Sequence, residues 1–302
     1  MAKLRLMAIL PPTLDSESIA AQARCYADLF TLPLKDRNWR GNPGDYAGLG
    51  VGSSLDFQDH RNYLPGDDPR HINWQAFART GDYSLKLYRE EVRPVVEIIF
   101  DVSGSMFALP DKATRAIELL YFAFTSAAKA GASAHVYLVK GNHGKPVEAH
   151  SLLTHHWQEI AESMPETSAA EPPNLTALPF RARSMRLLIS DLLFTSPPEA
   201  TVRALQRNNG RALILCPYAK AESDPGWEGN YEFVDSETAT RHDRRVDTSL
   251  LRKYLETYRR HFDRWKAATI RARAPLARIN AAGSFEDAMK REAIPTGAIQ
   301  LA

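Results

Sequence analysis

Apolar and polar positions alternate along the chain with two different periods. Val95-Val-Glu-Ile-Ile-Phe100 is an almost continuous apolar, β-branched run, the pattern of a central strand buried on both faces of a parallel sheet. Ala134–Val139, Met185–Asp191 and Ala212–Pro217 read the same way. Helical periodicity lies between them. A helix is predicted from Pro110 to about Ala130, with Ile117, Leu120, Tyr121, Phe124 and Ala128 on one face and Gly131 as its stop. Lys145–Leu153 reads as an antiparallel edge strand and Thr154–Met164 as a short helix. Ser196-Pro-Pro-Glu199 reads as a capping box opening a helix that Asn209-Gly210 ends. Strand and helix thus alternate over residues 92–218, which predicts an α/β domain with right-handed crossovers and a mostly parallel central sheet flanked by helices. An added hairpin (Asn230–Val234 with Arg241–Asp247), a long amphipathic helix (Ser249–Ala268), a last strand at Pro275–Ile279 and a final helix capped by Ser284 complete this part.

Before Val95 the pattern is different. Residues 14–30 carry helical spacing, and residues 36–54 are Gly-rich. No Gly-Lys-Ser/Thr and no preceding strand accompany those glycines, so neither a phosphate loop nor a dinucleotide fingerprint is expected. Residues 56–80 alternate aromatic anchors (Phe57, Tyr63, Trp74, Phe77) with charges (Asp59, Arg61, Asp67, Asp68, Arg70, Arg79) around a Pro65-Gly66 turn. This segment reads as a salt-bridged structural plug or as a recognition surface for a partner. Tyr83–Glu91 alternates like an edge strand. The expected organisation is an irregular and β extension, 1–90, packed on a main domain, 91–302, with a hairpin insertion near 228–247.

Composition narrows the function. The chain has 302 residues, 44% hydrophobic and 25% charged, with a formal net charge of +2. This is an ordinary soluble globular composition without the overall electrostatic footprint of a nucleic-acid binder. Cys25 and Cys216 stand far apart, forming neither a metal-type pair nor a disulfide framework. No stretch approaches the roughly 18 apolar residues of a membrane span, and the first twelve residues read as an ordinary terminus rather than a leader. A soluble, cytoplasmic protein without membrane insertion is expected.

The candidate chemistry sits where the strands end. Asp101, Ser103 and Ser105 follow the first central strand at spacings of two, and Asp191 follows Met185–Ser190. Ligands of open α/β sheets bind beyond the carboxyl ends of the strands. Carboxylates and hydroxyls are hard oxygen donors suited to Mg2+ or Mn2+. The plainer alternative is that Asp101 and Ser105 cap the following helix. Asp101 as a phosphoryl-accepting nucleophile is a further alternative, disfavoured because Ser103 stands where a second aspartate would be needed. Ser126-Ala-Ala-Lys129 matches a nucleophile pattern by chance, mid-helix, and the neighbouring His155 and His156 point about 100° apart on a helix.

These residues carry a family resemblance. Arg61-x-Tyr63-x-Pro-Gly-Asp67-Asp68-Pro-Arg70-x-Ile-Asn-Trp74, then Ala78-Arg79-Thr80, Asp101-Val-Ser103-Gly-Ser105-Met106 and Ile189-Ser-Asp191 resemble the bacterial family catalogued as domain of unknown function 58. The resemblance implies a von Willebrand factor A-like domain with a metal-ion-dependent adhesion-like site. There the two serines would bind the cation directly and the aspartate would act mostly through water. It also implies a threonine ligand, for which Thr167 has the better spacing and Thr176 is the rival. Asn73 stands where the family usually has aspartate. The resemblance further implies an adaptor or co-chaperone of a MoxR-type AAA+ ATPase rather than an enzyme. A partner carboxylate would complete the coordination. The remaining alternative is a structural scaffold whose ion site has decayed.

Overall fold

Val95–Asp101 is the hub of the molecule because its alternating side chains are buried on both sides: Val96, Ile98, Ile99 and Phe100 are all 0% exposed. Each such side chain is worth about 1.5–3 kcal/mol against the exposed state. The computed structural model describes residues 15–34, 57–88, 94–165, 172–236, 238 and 240–302. The Gly-rich stretch at 36–54 and Thr167 lie outside the described residues. The chain divides into two units, Met1–Leu34 with Pro94–Ala302, and Lys35–Arg93.

The larger unit begins with helix α1 (Ser16–Leu29), capped by Asp15. It continues with β1 (Val95–Asp101), α2 (Pro110–Lys129), β2 (Ser133–Lys140) and β3 (His143–Val147). Short helices α3 (Ala149–Leu153) and α4 (Trp157–Glu162) follow, then β4 (Met185–Ile189), α5 (Pro198–Leu205) and β5 (Arg211–Tyr218). The hairpin β6 (Gly229–Val234) and β7 (Arg241–Val246) precedes α6 (Thr248–Arg271) and β8 (Leu276–Asn280). Six strands form one sheet in the order β8-β5-β4-β1-β2-β3. All neighbours are parallel except β3, which returns antiparallel on β2. Chain order therefore reverses between β1 and β4, and ligand crevices of open α/β sheets form at such a reversal.

One face of the sheet is covered by α5 and α6, whose Val202, Leu205, Phe262 and Trp265 pack on Ile99, Leu188 and Ile214. The other face is covered by α2. Its periodicity predicts a single apolar face, but α2 is buried almost all round, from Lys112 to Ala127. The reason is α1, which crosses its outer side: the backbone N–H of Leu32 donates to the Ser126 hydroxyl at 2.9 Å. This settles the Ser126/Lys129 pattern as packing, since Lys129 pairs with Asp28 outside.

Other boundaries also move. The edge strand is shorter than Lys145–Leu153, because Ala149–Leu153 folds as α3. The capping box at Ser196 does not form: α5 starts after Pro197, and the buried Ser196 hydroxyl finds no hydrogen-bond partner among the described residues. A second proline at the first helical position sets the start instead. Ser284 does cap, accepting from the Asp287 N–H at 3.1 Å.

A buried ion pair ties the amino-terminal end of the sheet together. Glu97 and Arg186 are register partners on β1 and β4, and both are 0% exposed. Glu97 accepts from the Arg181 N–H at 2.7 Å and the Ser184 hydroxyl at 2.5 Å. Arg186 donates to Leu205 O and Arg181 O, each at 3.0 Å. Buried charges persist only when paired and hydrogen-bonded in this way.

The smaller unit is a two-stranded antiparallel ribbon, Phe57–Asn62 with Ser84–Tyr88, enclosing a 3-10 turn at Pro69–His71 and a helix at Trp74–Thr80. Asn73 caps that helix, accepting from Ala76 N–H at 3.2 Å. Asparagine caps as well as aspartate does, so the departure at position 73 keeps the local structure.

Candidate functional site

β1 and β4 deliver their carboxyl ends to the place where strand order reverses. Asp101 is the last residue of β1 and is 4% exposed. Its Oδ1 accepts from the Ser103 N–H at 3.0 Å and its Oδ2 from the Ser190 hydroxyl at 2.7 Å. The carboxylate thus stitches the two strand-end loops together. Burial first, and the neighbouring Asp191 charge second, push the Asp101 carboxyl up to about 6, against the lowering effect of the Ser190 and Ser103 hydrogen bonds.

Beyond Ser103 the chain makes a single helical turn, Gly104–Phe107. That turn brings the Ser103 and Ser105 hydroxyls to 3.3 Å from each other at a half-buried edge. An octahedral Mg2+ with bonds of about 2.1 Å places adjacent ligands about 3.0 Å apart. The hydroxyl pair therefore lies within a few tenths of an ångström of a cis ligand pair. Among the described residues no three His, Cys, Asp or Glu side chains gather as a metal-binding group.

Asp191 is 3% exposed and heavily engaged. Its Oδ1 accepts from Leu193 N–H at 3.2 Å, and its own N–H points at the Met106 sulfur at 3.1 Å. Leu192, next in line, has φ 61°, a left-handed conformation that costs a non-glycine residue about 1 kcal/mol. Its carbonyl accepts from His261 Nε2 of α6 at 2.8 Å, which holds the strained turn.

The unforeseen member of the site is Lys112, in the first turn of α2 and 0% exposed. Its ammonium donates to Asp191 Oδ2 at 3.0 Å and also to Glu222. Burial works against the Lys112 charge, but Asp191 and Glu222 outweigh it and raise the pKa. Glu222 is fixed in turn: its Oε2 accepts from Ala219 N–H at 2.9 Å, and its carbonyl accepts from the Tyr254 hydroxyl at 2.8 Å. Lys112 is visible in the sequence as the first of three charges, with Arg115 and Glu118, on the buried stripe of an apolar helix. Such charges need partners. Ser190 has no comparable sequence signal.

Asp101, Ser103, Ser105 and Asp191 therefore share one sheet edge. Thr176, the other threonine candidate, donates to Asn174 Oδ1 at 2.7 Å on an exposed 3-10 turn. His155 and His156 serve separate contacts, with Tyr121 at 2.5 Å and Glu159 at 3.1 Å.

The motif residues of the smaller unit mostly hold its own turn. Arg61 makes a two-pronged pair with Asp67 at 2.9 and 2.7 Å, and Asp67 also accepts from Leu64 N–H at 2.9 Å. Asp68 caps the 3-10 turn and takes Arg70 Nη2 at 2.6 Å; the Arg70 hydrogen bonds hold its carboxyl at about 2. Arg79 donates to Gln75 O at 3.3 Å. Two aromatic members stay open to solvent, Trp74 at 57% and Tyr83 at 48%; Trp74 meets Phe77 and Tyr83 edge-on, and the half-buried Tyr63 lies beside Tyr83.

No helix among the described residues is long and apolar enough to cross a membrane. Searches of curated proteins and of solved structures return no match. A family model does match, over residues 59–264, a span that includes the Arg61–Thr80 segment, both strand-end turns, Lys112 and Glu222. Because the match covers well over half of the chain, the protein belongs to the family described as protein of unknown function DUF58.

Proposed function

We propose that the chain is a cytoplasmic, non-enzymatic interaction module with a von Willebrand factor A-like domain. In this reading Ser103 and Ser105 hold Mg2+ or Mn2+ directly, Asp101 and Asp191 support it from behind, and a partner carboxylate completes the coordination. The partner is a MoxR-type AAA+ ATPase or its client. The observation that carries the reading is the 3.3 Å convergence of two hydroxyls in front of a buried carboxylate at the strand reversal. The sheet order with a single antiparallel edge strand supports the domain assignment.

The bound cation supplies positive charge at which an aspartate or glutamate of another protein docks. The chain's residues do the rest. Asp101 orients Ser103 through its backbone N–H, and Ser190 fixes the Asp101 rotamer. The groove beside the site, lined by Pro110, Asp111, Ala219 and Lys220 among others, measures about 180 Å3. In the smaller unit, exposed Leu64, Trp74 and Tyr83 supply partner contacts of the aromatic type that dominates interfaces.

One observation favours the scaffold reading: Lys112 pairs with Asp191 at 3.0 Å and compensates its charge. Affinity capture from the native cell, with and without chelator, separates the two. Loss of an ATPase partner on chelation, reproduced by Asp101→Ala, supports the metal bridge. A partner set unchanged by both treatments supports the scaffold.

A further inference from the structure

The Lys112 ammonium sits between two carboxylates, Asp191 and Glu222, and contacts both with its side chain 0% exposed. Asp191 lies close enough to Asp101 for its charge to be felt there. We propose that Lys112 is a built-in counter-cation that holds the site's affinity for a divalent ion low, so that the ion is retained firmly only when a partner carboxylate arrives. The inference rests on the cation reading above and deepens it by assigning what regulates the site.

The affinity of a hard-oxygen site follows the count of uncompensated ligand charges. With Lys112 in place, the Asp191–Lys112–Glu222 group carries one net negative charge rather than two. Because the ammonium is buried, solvent does not screen it, and it repels a nearby divalent ion more strongly than a surface lysine would. Nor is it a mobile arm. It stands in the first turn of a twenty-residue helix, and its anchor Glu222 is fixed by Ala219 N–H and the Tyr254 hydroxyl. A partner carboxylate restores the missing negative charge, so cation and partner bind cooperatively.

Mn2+ binding to the full chain, read by calorimetry and by the Mn2+-dependent rise in unfolding temperature, tests this in three proteins. Lys112→Met removes the charge and keeps the stem; it should tighten Mn2+ binding by about tenfold or more relative to the unmutated chain. Glu222→Gln keeps the lysine, and its amide oxygen can still accept from Ala219; it should weaken binding by about tenfold. Opposite shifts in the two variants support the inference, because simple structural damage would lower binding in both. If Lys112→Met does not fold, Lys112→Gln, which is neutral and can still donate to Asp191 and Glu222, takes its place with the same expected tightening, and weaker binding in it overturns the role of Lys112. If the unmutated chain binds Mn2+ and neither variant differs from it, or Lys112→Met is weaker, the role of Lys112 is overturned while the cation site stands. If none of the three binds Mn2+, the cation reading itself fails, and the inference with it.

Discussion

Asp101→Asn should make the protein more stable at neutral pH. The carboxyl is held at about 6 in the folded chain, against 3.8 for an unperturbed aspartate, chiefly because it is buried. At ~1.4 kcal/mol per pH unit, keeping Asp101 ionised costs about 3 kcal/mol of folding free energy. Asparagine has the same shape: its oxygen can accept from Ser103 N–H, and its amide can donate to a rotated Ser190 hydroxyl. Allowing about 1 kcal/mol for that rearrangement, the net gain is about 2 kcal/mol at pH 8. The sign follows from proton counting. Between pH 3.8 and about 6 the native state binds more protons at this group than the unfolded state does, so stability falls as pH rises through that window. The gain from asparagine is therefore absent at pH 4 and complete above pH ~7. Urea unfolding in EDTA, followed by fluorescence of the buried Trp157 and Trp265, reads it directly. A variant that is no more stable than the parent at pH 8, or equally advantaged at pH 4, refutes the electrostatic account of this carboxylate.

Three further outcomes follow from the packing. A Cβ added at Gly210 would lie 2.5–2.8 Å from the Arg186 guanidinium, which has no room to move; Gly210→Ala should cost about 3 kcal/mol in denaturant unfolding, and a cost under about 1 kcal/mol would show that the Glu97–Arg186 pair is not tightly held. Cys25 is exposed, whereas burial pushes the Cys216 thiol up to about 12, so a disulfide reagent should titrate one thiol in the native chain and two after unfolding; two fast thiols would contradict the burial of β5. Asn73→Ala should destabilise the Trp74–Thr80 helix by about 1 kcal/mol while Asn73→Asp leaves it unchanged, as judged by hydrogen exchange at Phe77 and Ala78; equal effects would rule out capping as the role of Asn73.

The layered α/β core was legible because β1, β2, β4 and β5 are apolar runs too short for helices and separated by helical periods. Their ends carry the oxygen-bearing residues, so Asp101, Ser103, Ser105 and Asp191 could be placed on one edge without coordinates. The charges inside those same runs held unused information. Glu97 interrupts Val95–Phe100 and Arg186 interrupts Met185–Ile189, and two opposite charges in adjacent buried strands have to meet. Lys112 was missed for a related reason: α2 reads as one-sided until α1 is seen to cover its outer face, and only then does its charged stripe become a buried one. The start of α5 was misjudged because a capping box at Ser196 competes with a proline that fixes the turn one residue later. Ser190 and Glu222 could not have been singled out, since their roles depend on contacts 89 and 110 residues away in sequence.

The proposed function stands or falls with divalent-ion binding at the Ser103–Ser105 edge. Electron paramagnetic resonance of Mn2+ titrated into the chelator-stripped, partner-free chain tests it most directly, at millimolar concentrations that suit a weak site. One bound Mn2+ per chain is expected, lost in a Ser103→Ala/Ser105→Ala protein whose unfolding in EDTA is unchanged. Free-ion signal at every ratio, or binding that survives removal of both hydroxyls, would contradict it.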